Sequence, residues 1–285
     1  MRPPVIVIGM HRSGTSMLTR FIQDMGVFMG RDLSENDESK FFMDLNRWLL
    51  FQAGASWDVP KAVDHMDPVF VRRSADLAKR RLGSVLSGQY LGFGRLLKYR
   101  SVYKIKESWG WKDPRNTLLL PVYQNLFPEA RIVHIHRNPI DVAVSLKNRE
   151  LKLPEIEGFS WKERLKSDLL KYERLVAHSL MVDDLDYGVE LWDFYTAKAC
   201  RAREQFQHYC EISYEEFLET PKPVLQKLLD FLELEDPAGV AGRVAKKLDP
   251  SRRYAFLKDP QLVDFYEERK HLSSIKALGY DRIQD

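Results

Sequence analysis

Four apolar residues, Val5-Ile6-Val7-Ile8, run directly into Gly9-Met10-His11-Arg12-Ser13-Gly14-Thr15-Ser16. This junction limits what the chain can fold into more than any other segment. The run is short, continuous and rich in β-branched side chains, as a strand buried in a parallel sheet requires. From Thr15 the period changes. Met17, Leu18, Phe21, Ile22 and Met25 recur at helical spacing, and Gly26 supplies a stop. The first unit is therefore strand, glycine-bounded loop, helix. The backbone N–H groups of such a loop, together with the helix N-terminus, favour a bound anion such as a phosphate.

The remaining pattern extends the same architecture. A polar stretch at 31–40 precedes a helical pattern through Phe42, Leu45, Trp48 and Leu49, and residues 54–68 read as loop. Residues 69–98 read as helix with a break at Gly92–Gly94, and Tyr103–Trp111 as a strand ending at Lys112-Asp113-Pro114-Arg115. A helix is expected over Leu118–Leu126 and a second clear strand over Arg131–His136. Asn138 can cap a helix with Pro139 at its first position, running to about Arg149. Two long helices are expected at 161–180 and 186–207, a strand at His208–Ser213, and helices at Pro221–Leu232 and 260–277. Strands alternating with helices give a parallel sheet covered on both faces. In such a sheet the loops after the strands converge on one edge, where ligands bind.

Composition excludes several classes. The 44 Lys and Arg nearly balance 41 Asp and Glu, for a net charge of +3, too little for a protein that coats nucleic acid. Two cysteines, Cys200 and Cys210, form neither a disulfide framework nor a metal-ligand spacing, which is the pattern of a reduced, cytoplasmic setting. The apolar run at the start is too short for a signal-peptide core, and no stretch of about 18 apolar residues suggests a membrane span. Peripheral membrane contact stays open. The seven histidines show no zinc-type spacing, so no metal is expected.

The loop has the glycine spacing of a Walker loop, but Thr15 stands where the Lys that neutralises the outer phosphates of a nucleoside triphosphate belongs. The nearest cation is Arg12. As local structure alone, the segment is a tight strand-to-helix turn. After the second strand come Arg137-Asn138-Pro139-Ile140-Asp141, then Ser145 and Arg149. Asp141, Ser145 and Arg149 are spaced by four and share a helix face. An Arg fork with a hydroxyl clamps a phosphate well, although an amphipathic helix with a solvated face would show the same spacing.

Taken together these segments resemble the sulfotransferases that use 3′-phosphoadenosine 5′-phosphosulfate (PAPS), especially the tyrosylprotein and bacterial members with Arg-Ser-Gly-Thr in the loop. The resemblance runs in order from residue 5 to about 235. It implies a single domain over 1–285: an α/β fold with a central parallel sheet flanked by helices, like that of P-loop nucleoside triphosphate hydrolases. A helical lid or acceptor-side insertion is expected at about 147–207. The resemblance places the 5′-phosphate on Ser13, Gly14, Thr15 and Ser16, and the 3′-phosphate on Arg137 and Ser145, with Arg149 and Tyr214 also at the nucleotide. Arg252 and Arg253 could close over the 3′-phosphate.

Sulfuryl transfer is an in-line displacement governed by positioning and charge stabilisation. Arg12 would stabilise the leaving phosphate, and Lys112 would steady the sulfuryl oxygens. A carboxylate after the first helix would serve as base, with Glu38 preferred over Glu35 and Asp44. His11 is read as a packing or acceptor-side residue. PAP would be the product, and the acceptor a small molecule or glycan bearing a hydroxyl. A small-molecule kinase with a degenerate loop and a non-catalytic nucleotide-binding module are the competing readings. Trp161, Tyr172, Trp192 and Tyr195 are placed either at the acceptor pocket or in helix packing.

Overall fold

The computed structural model describes residues 2–150, 179–236, 239–246 and 248–283. The elements in chain order are β1 (Val5–Ile8), α1 (Thr15–Asp24), α2 (Lys40–Gln52), α3 (Pro68–Gly83), α4 (Gly88–Tyr99), β2 (Gly110–Lys112), α5 (Leu120–Leu126), β3 (Arg131–His136) and α6 (Pro139–Glu150). Then follow α7 (Leu185–Gln205), β4 (His208–Ser213), α8 (Tyr214–Glu219), α9 (Pro221–Leu232), α10 (Val240–Ala245), α11 (Pro260–Arg269) and α12 (Ser273–Ala277). The chain divides into two compact units: Met1–Arg137 with Phe194–Ala255, and Asn138–Asp193 with Phe256–Asp285.

The first unit holds the sheet. Its order is β2-β1-β3-β4, and every neighbouring pair is parallel. Ile6 lies opposite both Trp111 and Ile132, and His136 lies opposite Ser213. The expected strands at 5–8, 131–136 and 208–213 therefore end on one edge. Leu18, Phe21 and Ile22 of α1 pack with Val133, Ile135, Ile212 and the α9 leucines in one core cluster. Each such buried side chain contributes about 1.5–3 kcal/mol. Around β2 an aromatic layer forms, in which Phe42 stacks on Trp111 with ring centroids 4.0 Å apart. Ser39 caps α2 and Asp67 caps α3, each accepting the backbone N–H three residues on.

Four sequence expectations shift. The helix expected over 69–98 is two helices, α3 and α4, separated by a 3-10 turn at Val85–Ser87. The Ser84 hydroxyl donates to Arg81 O and accepts from Leu86 N, competing with the helix ladder. Gly92 does leave the helix, as expected. The strand expected over 103–111 shrinks to Gly110–Lys112, because Val102–Lys104 is a 3-10 turn; Trp109 adds only an isolated parallel bridge to Phe28. The helix over 118–126 starts at Leu120, after a 3-10 stretch, with Pro121 near its start. The C-terminal helix over 260–277 is α11 and α12.

In the second unit Asn138 caps α6 as expected, its Oδ1 accepting from Ile140 N at 2.9 Å. The buried Asp141 carboxylate accepts Phe256 N at 3.0 Å. Tyr266 OH donates to Tyr280 O, and Trp192 is buried with its ring edge toward Tyr280. The helix expected at 161–180, much of the expected lid, Trp161 and Tyr172 fall outside the described residues.

Candidate functional site

The loop after β1 is held from both sides. Gly9 N–H donates to Thr117 Oγ1 at 3.1 Å. A Cβ on Gly9 would lie 2.2 Å from the Ile135 carbonyl oxygen, so the loop leaves the sheet in direct contact with β3. Arg12 is exposed and adopts a left-handed φ of 71°, a conformation that a non-glycine residue rarely takes. Ser13 N–H donates to Met10 O, closing the turn. The Ser13 hydroxyl is fully buried and has no hydrogen-bond partner among the described residues. Gly14 precedes α1 at φ 91°, and no side chain caps the helix. The N-terminal amides of α1 are thus left to a ligand or solvent.

Tyr214, the first residue after β4, lies against the loop. A Cβ on Gly14 would come within 2.5 Å of Tyr214 Cδ2. On the same ring the Arg137 guanidinium carbon sits 4.6 Å from the centroid, a cation–π distance. Arg137 also donates to Arg252 O at 3.1 Å. The ends of β1, β3 and β4 are therefore joined through one aromatic ring.

Lys112, at the end of β2, is 1% exposed. Its Nζ donates to Asn36 O at 2.5 Å, Ser16 Oγ at 3.3 Å and Glu38 Oε1 at 3.4 Å. The Ser16 hydroxyl donates in turn to Asn36 O at 2.7 Å. Ser16, expected on the 5′-phosphate, is in this structure joined to Lys112 and the 31–39 loop. Burial lowers the Lys112 pKa, with the Glu38 and Asp113 carboxylates opposing. Burial and the Asp113 charge raise that of Glu38, with Lys112 opposing. Glu38 thus holds a proton more readily than a solvated carboxylate.

Sequence reasoning missed what holds Lys112 in place. Asp113 is fully buried and accepts from Arg115 N, Arg115 guanidinium and Asn46 Nδ2. Asn46 Nδ2 also donates to Asn116 Oδ1, which takes the Trp111 indole N–H as well. Tyr123 OH donates to Asn46 Oδ1, and Asn116 Nδ2 donates to Val7 O at 3.3 Å. This network ties α2, β1 and the segment after β2 together. Its signal in the sequence was Asn46, a polar residue among Phe42, Leu45 and Leu49 on the buried stripe of α2.

With this geometry in view, known proteins give a consistent answer. A family model described as "Sulfotransferase family" matches residues 3–238. The chain belongs to the sulfotransferase family. No curated protein sequence matches it. Among solved structures it is similar to the sulfotransferase domain of the Synechococcus PCC 7002 olefin synthase, at 17% identity and a TM-score of 0.48, covering 100% of this chain and 96% of that one. A sulfotransferase from Alicyclobacillus acidocaldarius is similar at 17% identity and TM-score 0.46, covering 99% and 98%. A mouse sulfotransferase complexed with PAP is similar at 16% identity and TM-score 0.38, covering 91% and 68%.

The other expected residues of this sulfotransferase sort by environment. Glu35 and Asp44 are exposed, so of the three carboxylates Glu38 alone faces Lys112. The His11 ring meets Trp57 edge-on at 4.8 Å, and Tyr195 OH donates to Trp57 O. Arg253 pairs with Glu219 at 2.9 Å, and Arg252 approaches Asp249. Ser145 and Arg149 lie on α6, in the second unit. His134 and His136 are buried within β3, and burial pushes the His136 pKa down to about 3, so it stays neutral.

Proposed function

We propose that this sulfotransferase moves the sulfuryl group of PAPS to a hydroxyl of a small-molecule or glycan acceptor and releases PAP. Carbohydrate, lipid-linked sugar and small alcohol or phenol acceptors fit this reading first, with peptide tyrosine as a further class. The observation that carries the reading is the Tyr214 ring, packed on Gly14 and covered by Arg137. It puts an anion-binding loop and a second cation on one sheet edge, as a donor with two separated phosphate groups needs. The buried Ser13 hydroxyl and the uncapped α1 amides fit the 5′-phosphate. Arg137 fits the 3′-phosphate, with the Tyr214 ring beside it. The roles of Ser145 and Arg149 rest on their sequence spacing from Arg137. No metal enters the scheme.

In the reaction the acceptor oxygen forms a bond to sulfur as the bond from sulfur to the phosphate oxygen breaks. The electron pair leaves with the 5′-phosphate of PAP. Arg12 and the α1 amides take up the charge developing there. Lys112 would exchange one of its three present partners for the sulfuryl oxygens, while Glu38, whose pKa burial raises, accepts the acceptor proton.

The test is a thermal-shift titration with PAP, ATP and ATP–Mg²⁺. Stabilisation by PAP in excess over ATP–Mg²⁺ is expected. Stabilisation by ATP–Mg²⁺ without PAP would make the chain a kinase-like protein, for which Thr15 supplies no Lys. Transfer of labelled sulfate from PAPS into a host extract then identifies the acceptor class.

A further inference from the structure

Between residues 69 and 106 the chain carries ten Lys and Arg against the single acid Asp76, although its total net charge is +3. The rest of the chain is therefore net acidic, and the basic excess is concentrated in α3, α4 and the turns around them. Arg72, Arg73, Lys79, Arg80, Lys98, Arg100, Lys104 and Lys106 are all exposed. Of the other two, Arg95 pairs with Glu107 and Arg81 lies over the Phe41 ring.

The same elements expose apolar side chains. Val85 is 78% exposed and Leu86 58%, on the 3-10 turn between the helices. Phe93 is 79% exposed and Leu97 65%, one helical turn apart on α4. The turn packs against both α3 and α4, and a Cβ on Gly88 would lie 2.8 Å from Leu96 Cδ2. The apolar tips thus lie on one helix–turn–helix segment of the first unit, with Lys79, Arg80, Lys98 and Arg100 beside them in the chain.

We infer that this corner is a docking surface for an anionic lipid bilayer. Projecting Phe, Leu and Val side chains enter the acyl boundary while surrounding Lys and Arg meet the headgroup phosphates. A protein partner fits less well, because the exposed cations include Lys79, Lys98, Lys104 and Lys106, and interface cores are depleted of Lys. A nucleic acid would use the charge but not the aliphatic tips. The surface shares no residue with Lys112 or the loop after β1, and the inference stands whichever acceptor is sulfated.

The experiment is co-sedimentation of the full chain with vesicles of phosphatidylcholine alone or with about one third phosphatidylglycerol, at low and high salt. Binding at least about tenfold stronger to the anionic vesicles, weakened by salt, is expected. Phe93→Glu with Leu97→Glu should reduce it by about tenfold or more. Lys79→Gln with Lys98→Gln should reduce it severalfold. Both double variants should keep the wild-type thermal midpoint and PAP-induced shift, since the substituted side chains are exposed. Equal affinity for neutral and anionic vesicles overturns the inference, as does anionic binding indifferent to Phe93 and Leu97. If wild type ignores vesicles but self-associates by light scattering, and the Phe93/Leu97 variant does not, the surface belongs to a second copy and the lipid assignment is wrong.

Discussion

Lys112→Met isolates the buried ion pair. In the native protein the Lys112 cation faces three oxygens, of which Glu38 Oε1 carries the charge. Removing the ammonium leaves the Glu38 carboxylate buried beside Asp113, whose charge already pushes its pKa up. Breaking a buried pair from one side costs about 3–5 kcal/mol, and the Glu38 side chain, still 10% exposed, places the expected loss at the lower end. Glu38→Gln should cost less, about 1–2 kcal/mol, because Lys112 keeps Asn36 O and Ser16 Oγ. The double variant should be no worse than Lys112→Met alone, giving a coupling of about 1–3 kcal/mol. Urea unfolding at constant slope measures all four proteins. The sign with pH follows from linkage. A carboxylate whose folded pKa is raised contributes stability below its unfolded pKa and loses it as pH rises through the folded pKa. Loss of the opposing cation raises the folded Glu38 pKa further, so the Lys112→Met deficit should shrink as pH falls from 8 toward 5. A deficit under about 1 kcal/mol at pH 7.5, or one that grows on acidification, would refute the reasoning.

Other substitutions probe the remaining contacts. Gly14→Ala should destabilise by about 1–3 kcal/mol, since its Cβ would meet the Tyr214 ring at 2.5 Å with φ at 91°; adding Tyr214→Ala should recover part of the loss in a thermal melt. Arg137→Ala should weaken PAP binding by roughly tenfold to a hundredfold by calorimetry, and unchanged affinity removes it from the 3′-phosphate. Arg12→Ala should lower turnover by roughly a hundredfold or more while PAP affinity changes far less; equal losses make it a binding residue only. Asp141→Ala should cost about 1–3 kcal/mol by leaving Phe256 N–H buried without its acceptor.

The fold was legible where one short element decides its own conformation. Val5–Ile8 is a continuous β-branched run, Arg131–His136 sets Ile132, Val133 and Ile135 between polar ends, and His208–Ser213 is a shorter mixed pattern, yet each is a strand with the expected bounds. Asn138 announced α6 through its own side chain. Boundaries failed where a side chain competes with the ladder, as at Ser84, or where the backbone tightens into a 3-10 turn, as at Val102–Lys104. In the site, motif residues could be placed one by one, but their coupling could not. Nothing in the local spacing says that Lys112 would reach Ser16 and Glu38, or that Asn46 would hold Asp113. Those contacts join positions more than 60 residues apart, and only the packed sheet brings them together.

Arg12 gives the loop a built-in conflict between two kinds of selection. A left-handed backbone at φ 71° favours glycine, and Arg12→Gly would relieve strain of about 1 kcal/mol or more. A library ranked by heat resistance would therefore enrich glycine at position 12. A library ranked by product formed would discard it, because the strained residue is also the loop's cation. Position 12 is where directed evolution for robustness and for catalysis should pull the same codon in opposite directions.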